Sequence, residues 1–298
     1  MAETVSSPAA GAPGAEPRAT SIDRGDWVLI GALALVLAPG MRELARVWGS
    51  TEYLSHGFLI PLVSLWLWSW QRLKRHRVPV EPQSWGAVAL AVALLTYAAG
   101  LLSGVVWLYG IAIVATVAAA VVWMRGTGWV RVSAFPLAFL LFMVPPPDSW
   151  ITPVIVQLQV FVSVAATELL NLVGGAIVRE GNILRLPSGD SLFVAEACSG
   201  VTSVITLAPL GAILAYLELK TTGARTAMML GAVPLAMIGN LTRVVATVVI
   251  ADRTGPDAAV HGPVHEILGL SVYVIGVLLL LGLGSVLRRL ERRRSAAS

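Results

Sequence analysis

The stretch TAMMLGAVPLAMIGNLTRVVATVVI, residues 226–250, is apolar almost throughout, and Arg243 is its one charged side chain. A hydrocarbon core about 30 Å thick takes roughly 20 helical residues to cross. The stretch therefore reads as a membrane-spanning helix that carries a cation at membrane depth. Seven further runs have comparable length and polarity, at 27–45, 54–70, 85–103, 105–124, 131–147, 199–217 and 266–287. The fold class expected is all-α: a polytopic membrane helix bundle of about eight transmembrane helices.

Composition supports this. Of the 298 residues 56% are hydrophobic and 13% charged, and mean hydropathy is +0.78. Soluble domains carry about 25% charged residues, so this chain has too few to cover a water-soluble globule. A soluble enzyme and a disordered scaffold are both excluded. The net charge of +4 comes from short basic loops without interleaved aromatics, so no nucleic-acid partner is expected. With Cys198 as the single cysteine, neither an intrachain disulfide nor a zinc cluster is expected.

Three regions follow from this. Residues 1–25 are rich in Ala, Pro, Gly and Ser and read as a disordered cytoplasmic tail without a cleavable signal peptide. Residues 26–288 form the transmembrane domain, and 289–298 a basic cytoplasmic tail. One further apolar segment, 151–174, follows Pro145-Pro146-Pro147 and carries Gln157, Gln159, Glu168 and Asn171. That polarity suits an interfacial helix better than a lipid-exposed span.

Basic residues arbitrate the topology. They cluster at Arg72–Arg77, at Arg125 and Arg131, at Lys220 and Arg225, and at Arg288–Arg294. Eight spans with a cytoplasmic N-terminus put all four clusters in the cytoplasm, provided that 151–174 does not cross. Loops 148–198 and 251–265 then face outward, and Ile183–Val194, built around Pro187-Ser188-Gly189-Asp190, reads as a small hairpin or extended loop.

Three places carry candidate chemistry. Cys198, in Glu196-Ala197-Cys198-Ser199-Gly200, stands at the outer start of a span, where a helix dipole favours the nucleophilic thiolate. A lone cysteine in an apolar chain is otherwise a small core residue. Asn240 and Arg243 are spaced i,i+3 and share a helix face. Apolar sequence continues from Arg243 to Ile250, which separates it from an ordinary snorkelling end anchor. His265 opens the last span, as a general base or an interfacial residue. Gly262 and Pro263 separate it from His261, so an H-x-x-x-H metal pair is rejected and no metal is expected. The spacings let Cys198, Arg243 and His265 converge near the outer leaflet. A thiol, a guanidinium and an imidazole together suit acyl transfer with charge stabilisation.

On Ala197-Cys198-Ser199-Gly200, Asn240-x-x-Arg243 and His265 followed by Gly269, the chain resembles the exosortase/archaeosortase family of polytopic membrane cysteine enzymes. Ser55-His56-Gly57 with Pro61 resembles that family's early H-G signature. The resemblance implies that Cys198, Arg243 and His265 are catalytic and that the reaction passes through an acyl thioester. It implies substrates that are exported proteins ending in a short motif, a transmembrane helix and a basic cluster, met side by side within the membrane lipid. The site would face outward from a multi-pass protein of the cell (inner) membrane. An arginine stays protonated, which favours His265 as the base; the resemblance also allows Arg243 as proton donor. The backbone N–H groups of Ser199 and Gly200 are candidate oxyanion donors, and Asn240 a supporting residue. No cofactor is expected, nor the extra domain some members carry after the last helix. Composition also permits a polytopic transporter, or a non-catalytic component of an envelope polysaccharide assembly pathway.

Overall fold

A computed structural model of the chain describes residues 24–71, 78–194, 199–260 and 263–297. The expected tail up to residue 23, the basic run 72–77, Cys198 and His261 lie outside the described residues. Helix α1 spans Arg24–Ser50, and α2, Leu59–Trp70, follows a 3-10 turn at Glu52–Phe58. Then come α3 (Trp85–Leu102), α4 (Val106–Arg125), α5 (Thr127–Val132) and α6 (Ala134–Phe139), the last running into a 3-10 turn at Leu140–Met143. Helix α7 is Asp148–Leu172, followed by strands β1 (Val178–Glu180), β2 (Ile183–Arg185) and β3 (Ser191–Phe193). Helices α8 (Val201–Glu218), α9 (Thr222–Thr254), α10 (Pro256–Val260) and α11 (Pro263–Ala297) complete the described chain.

Seven helices are long and apolar enough to cross a membrane: α1, α3, α4, α7, α8, α9 and α11. The bundle is thus polytopic and all-α, as the sequence predicts, but its spans are not all single helices. Residues 54–70 form a 3-10 turn plus the short α2, and 131–147 form two helical fragments and a 3-10 turn. Pro61 and Pro136 each stand in the first turn of a short helix, where the missing N–H is tolerated. Side chains bind the backbone where the helices break. Ser64 Oγ donates to the Pro136 carbonyl at 2.7 Å, and Trp48 Nε1 to that of Met143 at 2.9 Å. His56 Nε2 lies 3.1 Å from the Phe142 carbonyl oxygen. A Cβ on Gly57 would sit 2.5 Å from Trp48 Nε1, so the glycine leaves room for that indole. The His-Gly pair is therefore an architectural clasp between the two broken spans.

One end of the bundle collects Arg125, Arg131, Lys220, Arg225 and the arginines from Arg288 to Arg294, while Arg42, Arg46, Arg179, Arg185 and Arg253 lie toward the other. Arg125 pairs with Asp26 and Arg288 with Glu218, while Gln71 donates to the Tyr216 hydroxyl. The Tyr216 ring stacks on Phe135, with the Arg225 guanidinium 5.8 Å from its centroid. Glu291 accepts from the N–H and hydroxyl of Thr221 at 2.7 and 2.6 Å, and these bonds hold its carboxyl below the usual carboxylate range. Helix α11 extends through Ala297, so the basic residues expected in a tail lie on its last turns. Exposed Trp27, Trp70 and Trp85 ring this end, and Trp107 and Trp150 lie toward the other, as interfacial aromatics do.

Helix α7 has both of its ends at the end opposite the basic residues. Its start follows Val144, which packs against Gly110 near the beginning of α4, by a short proline run. Its second half buries Val162, Ala166 and Leu170 against Leu184 and Leu192 of the sheet, Val244, Val248 and Ala251 of α9, and Ala259 of α10. A helix of 25 residues is about 37 Å long, so with both ends on this side α7 slants along it. The other six long helices and the two broken segments run from one end of the bundle to the other, the arrangement that eight traverses require. The sheet, in the order β1-β2-β3 and antiparallel throughout, is where a hairpin is expected. Asn171 brackets its entry, bonding both the C=O and the N–H of Ile177, and the Asp252 carboxylate accepts from the Ser188 N–H at 3.1 Å.

In a Cys198→Ala background the chain has no cysteine, so single introduced cysteines report topology. Cysteines at 188 and 256 are expected to react with an impermeant maleimide from one membrane face, and a cysteine at 292 only from the other. Labelling of 188 and 292 from the same face would contradict eight traverses.

Candidate active site

Helices α8, α9 and α11 form a close-packed trio around Leu207, Met228, Ala232, Ala236 and Leu280. Small residues allow the approach: a Cβ on Gly239 of α9 would lie 3.2 Å from the Val272 carbonyl of α11, and one on Gly211 of α8 3.2 Å from Ala232 Cβ. Such packing fixes the rotation of each helix and hence which residues meet at the end opposite the basic residues.

Gly200 caps α8 with φ +91°, a left-handed conformation that L side chains rarely adopt. A Cβ there would stand 2.9 Å from Met237 Sδ and 3.1 Å from Asn240 Nδ2. Asn240 is fully buried and so touches the residue two places beyond Cys198. Ser199 is also fully buried, and its Oγ accepts from the Val201 N–H at 3.2 Å, which takes up one of the free donors at the helix start. One turn past Asn240, Arg243 is only 8% exposed, and its guanidinium lies 3.8–3.9 Å from where a Cβ on Gly269 would be. The backbone of His265 lies in the first turn of α11, one helical turn before Gly269, so the two fall on one stripe of that helix. Its side chain, like Cys198, lies outside the described residues.

The structure thus joins the start of α8, the Asn240–Arg243 turn of α9 and the first turns of α11. It also adds a residue that the sequence analysis does not single out. Tyr273, two turns beyond His265 on the same stripe, hydrogen-bonds Thr206 of α8 and lies within electrostatic reach of Arg243 and Glu52. The i, i+4, i+8 series His265, Gly269, Tyr273 is the pattern in the sequence that goes with it.

Arg243 lies 21 residues along α9 from Thr222, about 32 Å by helical rise, toward the end opposite the basic clusters. The apolar residues beyond it are not lipid-immersed: Val244 and Val248 are buried under α7 and the sheet. That cover keeps the guanidinium from open water. Beside it, Phe161 of α7 and Val233, Pro234, Met237, Ile238 and Leu241 of α9 line a wholly apolar groove of about 350 Å³.

Gly200→Ala is expected to destabilise the start of α8 by about 1–3 kcal/mol, from left-handed backbone strain and collision with Met237 and Asn240. A lowered thermal transition of the detergent-solubilised protein checks it. Gly174→Ala is the comparison: its backbone is equally left-handed, but a Cβ there meets nothing within 4 Å, so the contact contribution is the difference between the two.

Among curated proteins and among solved structures, nothing matches the chain. A family model described as transmembrane exosortase matches residues 48–282, from the end of α1 to just past the middle of α11, and so takes in the whole assembled site. The chain belongs to the transmembrane exosortase family.

Proposed function

We propose that the protein is a membrane thiol peptidase or transpeptidase that cleaves the C-terminal sorting signal of exported proteins, with Cys198 as nucleophile. The observation that carries this reading is the meeting of Gly200, Asn240, Arg243 and Gly269. These residues flank the cysteine on one side and the histidine on the other, at one protected end of the bundle.

In this reading the Cys198 thiolate attacks the carbonyl carbon of the scissile peptide bond. The tetrahedral oxyanion is stabilised by the Arg243 guanidinium and by N–H groups at the start of α8. An arginine holds its proton at any accessible pH, so His265 takes the thiol proton and returns it to the leaving amine as the C–N bond breaks. The acyl group remains on sulfur as a thioester, and water or an amine then releases it. A buried Arg243 is suited to charge stabilisation because low dielectric strengthens its field where the oxyanion forms. Its neighbour Asn240 fixes the chain just after the nucleophile.

The basic end of the bundle is assigned to the cytoplasm by the positive-inside rule, which turns the site outward from the cell membrane. A substrate bearing a motif, a transmembrane helix and a basic cluster then lies parallel to the enzyme, with its scissile bond level with Arg243.

The test uses a reporter protein ending in such a signal from the same genome, with cleavage followed over time and normalised to membrane protein level. Cys198→Ala is expected to abolish cleavage with insertion intact, and Cys198→Ser to be nearly inactive. Arg243→Lys keeps the charge and loses the planar fork, so it is expected to lose at least about a hundredfold in rate, the scale for removing one oxyanion donor. Normal cleavage by the alanine variant at 198 would overturn the assignment. Near-parental cleavage by the lysine variant would return Arg243 to an anchoring role.

A further inference from the structure

We propose that the open edge of β3 receives the extended segment of the substrate as a fourth strand and so leads the scissile bond to Cys198. This rests on the peptidase reading above and adds the surface that holds the peptide.

The edge follows from register. β3 pairs antiparallel with β2 through Ile183↔Phe193, Leu184↔Leu192 and Arg185↔Ser191. The Val194 N–H donates to the Asn182 carbonyl and the Leu186 N–H to the Asp190 carbonyl, both at 2.9 Å. Hydrogen-bonded pairs alternate along an antiparallel ladder, so 182/194, 184/192 and 186/190 are the bonded ones. The N–H and C=O groups of Ser191 and Phe193 therefore turn away from β2. β3 ends the sheet order, and among the described residues no other segment bonds to these groups.

Natural edge strands are commonly blunted by proline, lysine or a bulge. Ser191-Leu192-Phe193 has none of these and is guarded by its shortness alone, three residues that offer the edge groups of Ser191 and Phe193 to a short peptide. Leu192 faces the cap core, while Phe193, 58% exposed, and its register partner Ile183 form an apolar pair on the open face. An added strand would gain edge hydrogen bonds and seat alternate side chains on that pair, the usual division between affinity and specificity in β-augmentation. The occupant must be extended chain with free backbone groups, because a transmembrane helix has already used its own. In the substrate that describes the short motif preceding the apolar helix. Position agrees: Phe193 stands five residues before Cys198, within about 18 Å by chain reach.

The experiment combines cross-linking with cleavage, using the same reporter. In the Cys198→Ala background, Ser191→Cys supplies the single cysteine of the enzyme, and single cysteines are scanned through the reporter's motif. Disulfide formation is expected to peak at one motif position and to recur two residues away, with the intervening positions silent. Cross-linking without that alternation, none at all, or disulfide dimers of the enzyme through position 191 would overturn strand addition. If the parent enzyme still cleaves the reporter through Cys198, the peptidase reading survives that failure; if it does not cleave, both fall. In the Cys198-containing protein, Phe193→Pro removes an edge N–H without touching the bonds to β2, whereas Phe193→Val keeps it. Cleavage at low reporter concentration is expected to be at least about fivefold slower for the proline variant than for the valine variant, the scale of one lost hydrogen bond. Equal rates at equal membrane level would also overturn the proposal.

Discussion

Lipid offers no partner to a free N–H or C=O, so a chain that leaves the α-helix inside a bundle must close those groups with its own side chains. Much of this molecule answers to that constraint. Pro39 interrupts α1, and the N–H of Gly40 beyond it donates to the Tyr97 hydroxyl at 2.9 Å. The two traverses that are not continuous helices are bound by Ser64, Trp48 and His56, each of which reaches a backbone carbonyl of the neighbouring broken segment. The three-stranded sheet, the least helical part of the described chain, is kept at the end of the bundle under which α7 slants.

The same constraint shapes the site. Arg243 cannot be left facing acyl chains, and in its proposed role as oxyanion stabiliser it would gain nothing from open water. α9 buries it toward the end opposite the basic clusters and continues for more than two turns into a cap built from the second half of α7, the sheet and α10. Glycines do the close work beneath: Gly239 lets α9 approach α11, Gly269 leaves space for the guanidinium, and Gly200 brings the start of α8 against Asn240. Larger residues at these positions would separate the parts of the site that residues distant in sequence supply. Membership of the transmembrane exosortase family then has a physical counterpart, since Ser199-Gly200, Asn240-x-x-Arg243 and the turn ending at Gly269 are the segments this packing draws together.

Much of the architecture was legible from hydropathy and charge. Length of apolar run, excess of arginine in alternate loops and the polar residues of 151–174 together imply eight traverses and one helix that does not cross, because transfer into lipid depends on local composition over about 20 residues. The same signals overstated the regularity of 54–70 and 131–147. Hydropathy measures whether a segment belongs in the membrane and says nothing of whether its hydrogen bonds run unbroken. The sequence also marked Asn240 and Arg243, since a charge in an apolar run is conspicuous, but an apolar run does not tell lipid from the protein cover that lies over Val244 and Val248.

What the sequence by itself determined is the membrane class, the clustering of basic residues toward one end and the short list of polar residues able to do chemistry, all properties of local composition. Tertiary structure decided the rest: that His56 reaches the neighbouring broken segment, that Tyr273 stands within electrostatic reach of Arg243 and Glu52, that Val244 and Val248 are roofed over, and that β3 has an open edge. These depend on helix rotation and strand order, set by contacts between residues tens to more than a hundred positions apart, such as Trp48 with Met143 and Gly200 with Asn240. No local pattern encodes them, because close packing is a property of the two surfaces that meet.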